Sequence, residues 1–154
     1  MKVEELIAEI EIEINDIYRL ASEISMIKKE LKKRIPNTTE ITALSTYISQ
    51  FYNGIENILK RIWKFNGDSL PYGSDWHIEL FKRFCNPKKG NYPIIFDDTI
   101  VEDMAMYRKF RHYYFHGYSF KIEWERLKTG VEKFEVVFNK VIKNIKEYLI
   151  RISE

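Results

Sequence analysis

The sequence predicts an all-α protein, an up-and-down bundle of about five helices, and three observations predict it. Apolar residues recur at spacings of three and four over long stretches. Sustained period-two alternation, which a strand would need, is rare, and the β-branched residues fall mostly on helical spacing. Only six Gly and four Pro occur in 154 residues, alongside 45% apolar and 31% charged residues, the balance of a helix-rich globular chain.

From Leu6 to Leu31, Ile7, Ile10, Ile14, Ile17, Ala21, Ile24 and Leu31 mark one face of a long amphipathic helix. Lys28, Lys29, Lys32, Lys33 and Arg34 load its end with charge that complements the helix dipole, and Pro36 stops it. This basic run reads as a solvated helix end. A second helix starts at Thr38 or Thr39 as N-cap, carries Ile41, Leu44, Ile48, Phe51, Ile55, Leu59 and Ile62 on one face, and ends near Lys64 to Gly67.

Turn-forming residues follow from Gly67 to Ser74, and Ser74 or Asp75 caps a shorter helix through Trp76, Leu80, Phe81 and Phe84. Asn86 to Pro93, with Pro87 and Gly90, reads as a mobile surface loop. Asp97, Asp98 or Thr99 then caps a helix carrying Ile100, Met104, Tyr107, Arg111 and Tyr114, ending near Gly117, whose missing Cβ suits a helix C-terminus. The last helix covers Ile122 to Ile152, with Trp124, Leu127, Val131, Phe134, Phe138, Val141, Ile145 and Leu149 facing inward.

The length suits one domain over residues 1–154. Helices of roughly 25–30 residues run to about 40 Å, which leaves surface for a partner helix, so a homodimer is the expected state. Cys85 is the only cysteine, so an internal disulfide is impossible and a reducing cytoplasm is the expected setting. Neither a targeting segment nor a membrane span is expected from the opening residues. The net charge of +2 confers no strong overall field, so any attraction to nucleic acid must come from local clustering.

The densest cluster is Tyr107 to Tyr118, which packs Arg108, Lys109 and Arg111, the histidines His112 and His116, and six aromatics into twelve residues. Cleaving RNA without a metal needs a base for the 2′-OH proton, a cation for the phosphorane charge and an acid for the leaving 5′-oxygen. A histidine that titrates near neutrality and a permanently charged guanidinium fork meet those needs. Arg108, Lys109 and Tyr114 are candidates for holding a single-stranded RNA, although Tyr113, Tyr114 and Phe115 fit core or interface packing as well.

Residues five apart point about 140° from each other on a regular helix, so Arg111 and His116 do not converge within one. Either the helix breaks near Gly117, or the site combines segments of two chains. His112 either orients the site or is an exposed or helix-capping residue, and His77 takes a packing or capping role. Glu56 is either a solvated surface carboxylate or an ion-pair partner of the motif arginine. No spacing suits a metal site, a Gly-rich phosphate loop or a Ser or Cys nucleophile, so no cofactor is expected.

At Arg111, His116 and Tyr118 the sequence resembles the HEPN superfamily, marked by an Arg and a His four to six residues apart, and in particular the HepT toxins, with their R-x4-H-x-Y pattern. With eight Arg and three His, an R-x4-H pair arises by chance in about one such chain in six; adding the Tyr lowers this to about one in a hundred. Phe51 to Leu59 and Ser74 to His77 also look like HepT sequences.

The resemblance implies a dimeric HEPN-type bundle and a metal-independent endoribonuclease toxin, with Arg111 and His116 catalytic and both subunits' motifs lining one groove. It also implies a MntA-like nucleotidyltransferase antitoxin that attaches AMP to Tyr118, where added phosphate charge and bulk would exclude RNA. A non-catalytic HEPN module that docks a nucleotidyltransferase is the alternative.

Overall fold

The structure, a computed structural model, describes residues 2–154. Five helices follow one another: α1 (Val3–Leu31), α2 (Thr38–Phe65), α3 (Trp76–Arg83), α4 (Val101–Phe115) and α5 (Trp124–Ser153), with a short 3-10 turn at Ser119–Lys121 before α5. Apart from an isolated bridge between Cys85 and Phe96, no β-structure occurs among the described residues. Nor, among them, is any helix long and apolar enough to cross a membrane.

Helix α2 lies at the centre and packs against all four others. Its expected face is buried from Leu44 to Ile62, but Ser45, Ser49, Tyr52, Glu56, Ile58 and Trp63 are buried as well. A helix covered on several sides must be surrounded, and α1, α3, α4 and α5 supply the cover. Gly54 sets the closest approach. A Cβ there would lie 2.9 Å from Ile17 Cγ1 on α1, so only glycine admits this spacing without a shift.

The helix ends differ from expectation in instructive ways. Asn37, not Thr38 or Thr39, caps α2: its side chain accepts from Glu40 N at 2.9 Å, and the Glu40 carboxylate accepts from Asn37 N at 2.9 Å. Arg34 grips the same carboxylate at 2.7 and 2.6 Å, and that bond with the Asn37 amide lowers the Glu40 carboxyl to about 2. Helix α1 begins at Val3, and it ends through Lys32 and Lys33 at φ 46° and 74°, a left-handed exit made without glycine.

The stretch expected as a mobile surface loop is anchored at its far end. Tyr92 and Pro93 are buried, the Tyr92 ring lies under the Arg83 guanidinium at 4.9 Å, and its hydroxyl donates to Asp68. Ile95 N and Phe96 N both donate to Phe84 O at 3.0 Å, and Phe96 stacks on Phe81.

Asp97 does not cap α4 with its side chain; the cap position is Ile100. Its carboxylate accepts instead from Thr99 N at 2.8 Å and from Asn144 of α5 at 2.9 Å, tying the α4 entry to α5. Burial pushes the Asp97 carboxyl up, but the bonds from Thr99 and Asn144 outweigh it and hold the group below the ordinary aspartate range.

Two outcomes follow from this packing. Gly54→Ala is expected to cost about 1 kcal/mol in urea unfolding, because overpacking outweighs the gain in helix propensity, whereas in an Ile17→Ala background the sign reverses. Equal effects in both backgrounds would show that α1 and α2 do not meet there. Asn144→Ala should cost about 1 kcal/mol at neutral pH. Because the Asp97 pKa is depressed in the fold, that contribution exists above the unfolded pKa and is lost as pH falls through the folded one. The difference between variant and parent should therefore shrink below about pH 4.

Candidate functional site

Two tyrosines fix the rotation of α4. Tyr107 is buried and donates to Gly130 O of α5 at 2.6 Å, while the Tyr114 hydroxyl pairs with Thr46 Oγ1 of α2 at 2.8 Å. Gly130 eases this approach: a Cβ there would sit 3.2 Å from the Tyr107 ring, which would have to give by a few tenths of an ångström. With α4 so oriented, Arg108 and Arg111 turn towards α2 and α3, and His112 and His116 turn to solvent.

On the inner side, Arg111 Nε donates to Asn53 Oδ1 at 3.0 Å, and a terminal guanidinium nitrogen lies 3.9 Å from Glu56 Oε1. Its Cζ is 5.0 Å from the Phe115 ring centre, and its side chain is 20% exposed. Glu56 is 1% exposed, so the solvated-carboxylate reading gives way to the ion-pair one. A buried carboxylate is costly unless paired. Here the shorter contact is to His77 Nδ1, 2.6 Å from Glu56 Oε2, while Oε1 makes no hydrogen bond.

His77 also packs, its ring 3.4 Å from that of Trp76, but the hydrogen bond to Glu56 was not legible in the sequence, because nothing local to Trp76 and His77 indicates which face of α2 they meet. Asn53 was missed for the same reason. Beside them, the Tyr52 hydroxyl is buried without a partner; burial, then the charge of Glu56, pushes its phenol up.

The outer side is open. His116 is the C-cap residue, with φ −99° and ψ 6°, and its ring lies 4.3 Å from that of His112 one turn earlier. Gly117 does not adopt the left-handed conformation, and α4 keeps its course to Phe115. The helix ends just before Gly117, as the spacing predicts; Arg111 is engaged with α2, and His116 stands with His112 in solvent. Tyr118 is 69% exposed, stacked on Phe120, with Lys121 Nζ 5.5 Å from its ring centre.

Of the residues expected to hold RNA, Lys109 is exposed, Arg108 lies half-buried over Phe81 at 4.7 Å, and Tyr114 is tied to Thr46. No three His, Cys, Asp or Glu side chains among the described residues are grouped to hold a metal ion.

Chemically, the inner cluster presents a guanidinium suited to phosphate oxygens, and the outer one an imidazole with free access to a proton donor or acceptor. A family model described as HepT-like protein matches residues 43–152, a span that contains every residue of both clusters and leaves α1 outside. No curated protein and no solved structure matches the chain.

Proposed function

The chain belongs to the HepT-like protein family, and from that premise we propose that it is a metal-independent endoribonuclease toxin that acts as a homodimer, with Arg111 and His116 as its catalytic residues. The observation that carries the reading is the R-x4-H-x-Y motif inside the matched span, with His116 and Tyr118 open at the end of α4 and Arg111 oriented from α2.

In the proposed reaction an imidazole takes the 2′-OH proton, the 2′-oxygen attacks the adjacent phosphorus, and the bond to the 5′-oxygen breaks as that oxygen receives a proton from imidazolium. Arg111 binds the non-bridging oxygens, whose charge grows in the transition state. Because the Arg111 guanidinium is engaged with α2 while the His116 imidazole stands in solvent beside His112, each working site takes Arg111 from one subunit and His116 from its two-fold mate.

The toxin is neutralised, in this reading, by a nucleotidyltransferase antitoxin that adenylylates Tyr118, adding negative charge and bulk beside His116. A second reading, a non-catalytic HEPN module that docks the nucleotidyltransferase, is favoured by one observation: Arg111 already donates to Asn53 and lies beside Glu56.

Purified protein in EDTA should cleave single-stranded RNA, and Arg111→Ala and His116→Ala should each lose that cleavage. Co-refolded in equal amounts, the two dead variants should regain about a quarter of parental activity, since half the dimers are mixed and each mixed dimer holds one intact composite site. No recovery would place the whole site within one chain, and intact RNA in every sample would favour the docking module.

After co-expression with the nucleotidyltransferase, mass spectrometry should find AMP on Tyr118, with Tyr118→Phe unmodified, still active and unchanged in stability to within about 0.5 kcal/mol. AMP on Tyr72, which is 93% exposed, would defeat the assignment.

A further inference from the structure

Among the described residues Glu56 is the one ionisable carboxylate that the fold buries completely, and two nitrogen donors, His77 and Arg111, stand near it. His77 Nδ1 meets Oε2 at 2.6 Å, whereas the Arg111 terminal nitrogen stays 3.9 Å from Oε1, beyond hydrogen-bond reach. Oε1 is left with no hydrogen bond. The imidazole meets Glu56 of α2 and the Trp76 ring, tilted against it; Lys60 of α2 lies 4.6 Å over that ring, and Arg111 of α4 lies beside Glu56. The histidine is therefore held in place by packing and directed at the carboxylate.

We infer that His77 is a positioning residue for Arg111: by occupying the Glu56 carboxylate, it keeps that carboxylate from capturing the guanidinium, and so leaves Arg111 free to bind phosphate. A buried carboxylate deprived of its donor draws in the nearest cation. That cation is Arg111, on a long side chain still 20% exposed and fixed only through Nε to Asn53. Rotation of the guanidinium fork onto Glu56 would spend on an internal ion pair the two donors that phosphate needs. The consequence for RNA rests on the nuclease reading; the competition between His77 and Arg111 for Glu56 does not.

His77→Phe keeps an aromatic ring against Trp76 and removes the donor. It should raise the KM for single-stranded RNA about tenfold, with kcat changed less. His77→Asn, whose amide nitrogen falls near Nδ1, should restore the parental value, and so should adding Glu56→Gln to His77→Phe, because a neutral amide no longer competes for the guanidinium. A double variant that is folded yet as impaired as His77→Phe, or worse, overturns the inference in favour of plain packing.

Nitrogen-15 NMR of the Arg111 side chain, assigned by its loss in Arg111→Lys, tests the same competition without cleavage. The signal should shift in His77→Phe and return in the double variant; no shift overturns the inference. If the parent protein cuts no RNA, the nuclease reading fails and the NMR result alone decides this one. If His77→Phe does not fold, Glu56→Gln alone should show a KM no higher than the parent and an Arg111 signal at its parental position, and a raised KM or a displaced signal overturns the inference.

Discussion

A helix with buried residues on several sides has to be surrounded, and in this chain α2 is that helix. Burying Leu44, Ile48, Phe51, Ile55, Leu59 and Ile62 on one side and Tyr52, Ile58 and Trp63 on another obliges α1, α3, α4 and α5 to take up positions around it. The hydrophobic driving force is non-directional, so shape and polar groups decide who goes where. Gly54 admits α1, Thr46 receives α4 through Tyr114, and Glu56 receives α3 through His77. The buried acid on α2 is thus both a demand the fold must meet and the point where three helices come together near the motif arginine.

That arrangement divides the chemistry. The guanidinium belongs to the interior, oriented by an amide oxygen and facing a buried carboxylate; the imidazole belongs to the surface, paired only with another imidazole. The same division sets exposure: Tyr118 and His116 are accessible, whereas Arg111 is engaged with Asn53 and lies beside the carboxylate that His77 of α3 contacts.

The helices were legible because the apolar spacing of α1, α2 and α5 is long and regular, and the match to helical periodicity improves with every turn. What escaped was anything that depends on another element. Asn37 and Glu40 form a local signature that two adjacent threonines obscured. Asp97 is one of three residues the sequence offers as a cap, yet its partner Asn144 lies 47 residues away on α5. Tyr92 and Pro93 follow turn residues and were assigned to solvent, although the ring packs against Trp63 and Phe84. The motif itself was visible as Arg111, His116 and Tyr118, but not that Arg111 would meet Asn53 and Glu56, since one sequence carries no record of which faces of two helices touch.

Tyr107 and Tyr114 stand seven residues apart, which on an α-helix is two turns less about 20°. Their hydroxyls are fastened to different neighbours, one to α5 and one to α2. Two dowels in nearly the same line lock a rod against spinning and, being driven into separate walls, against tilting. The angular phase of α4 is thus pinned at both points, with Arg111 facing α2 and His112 left to solvent.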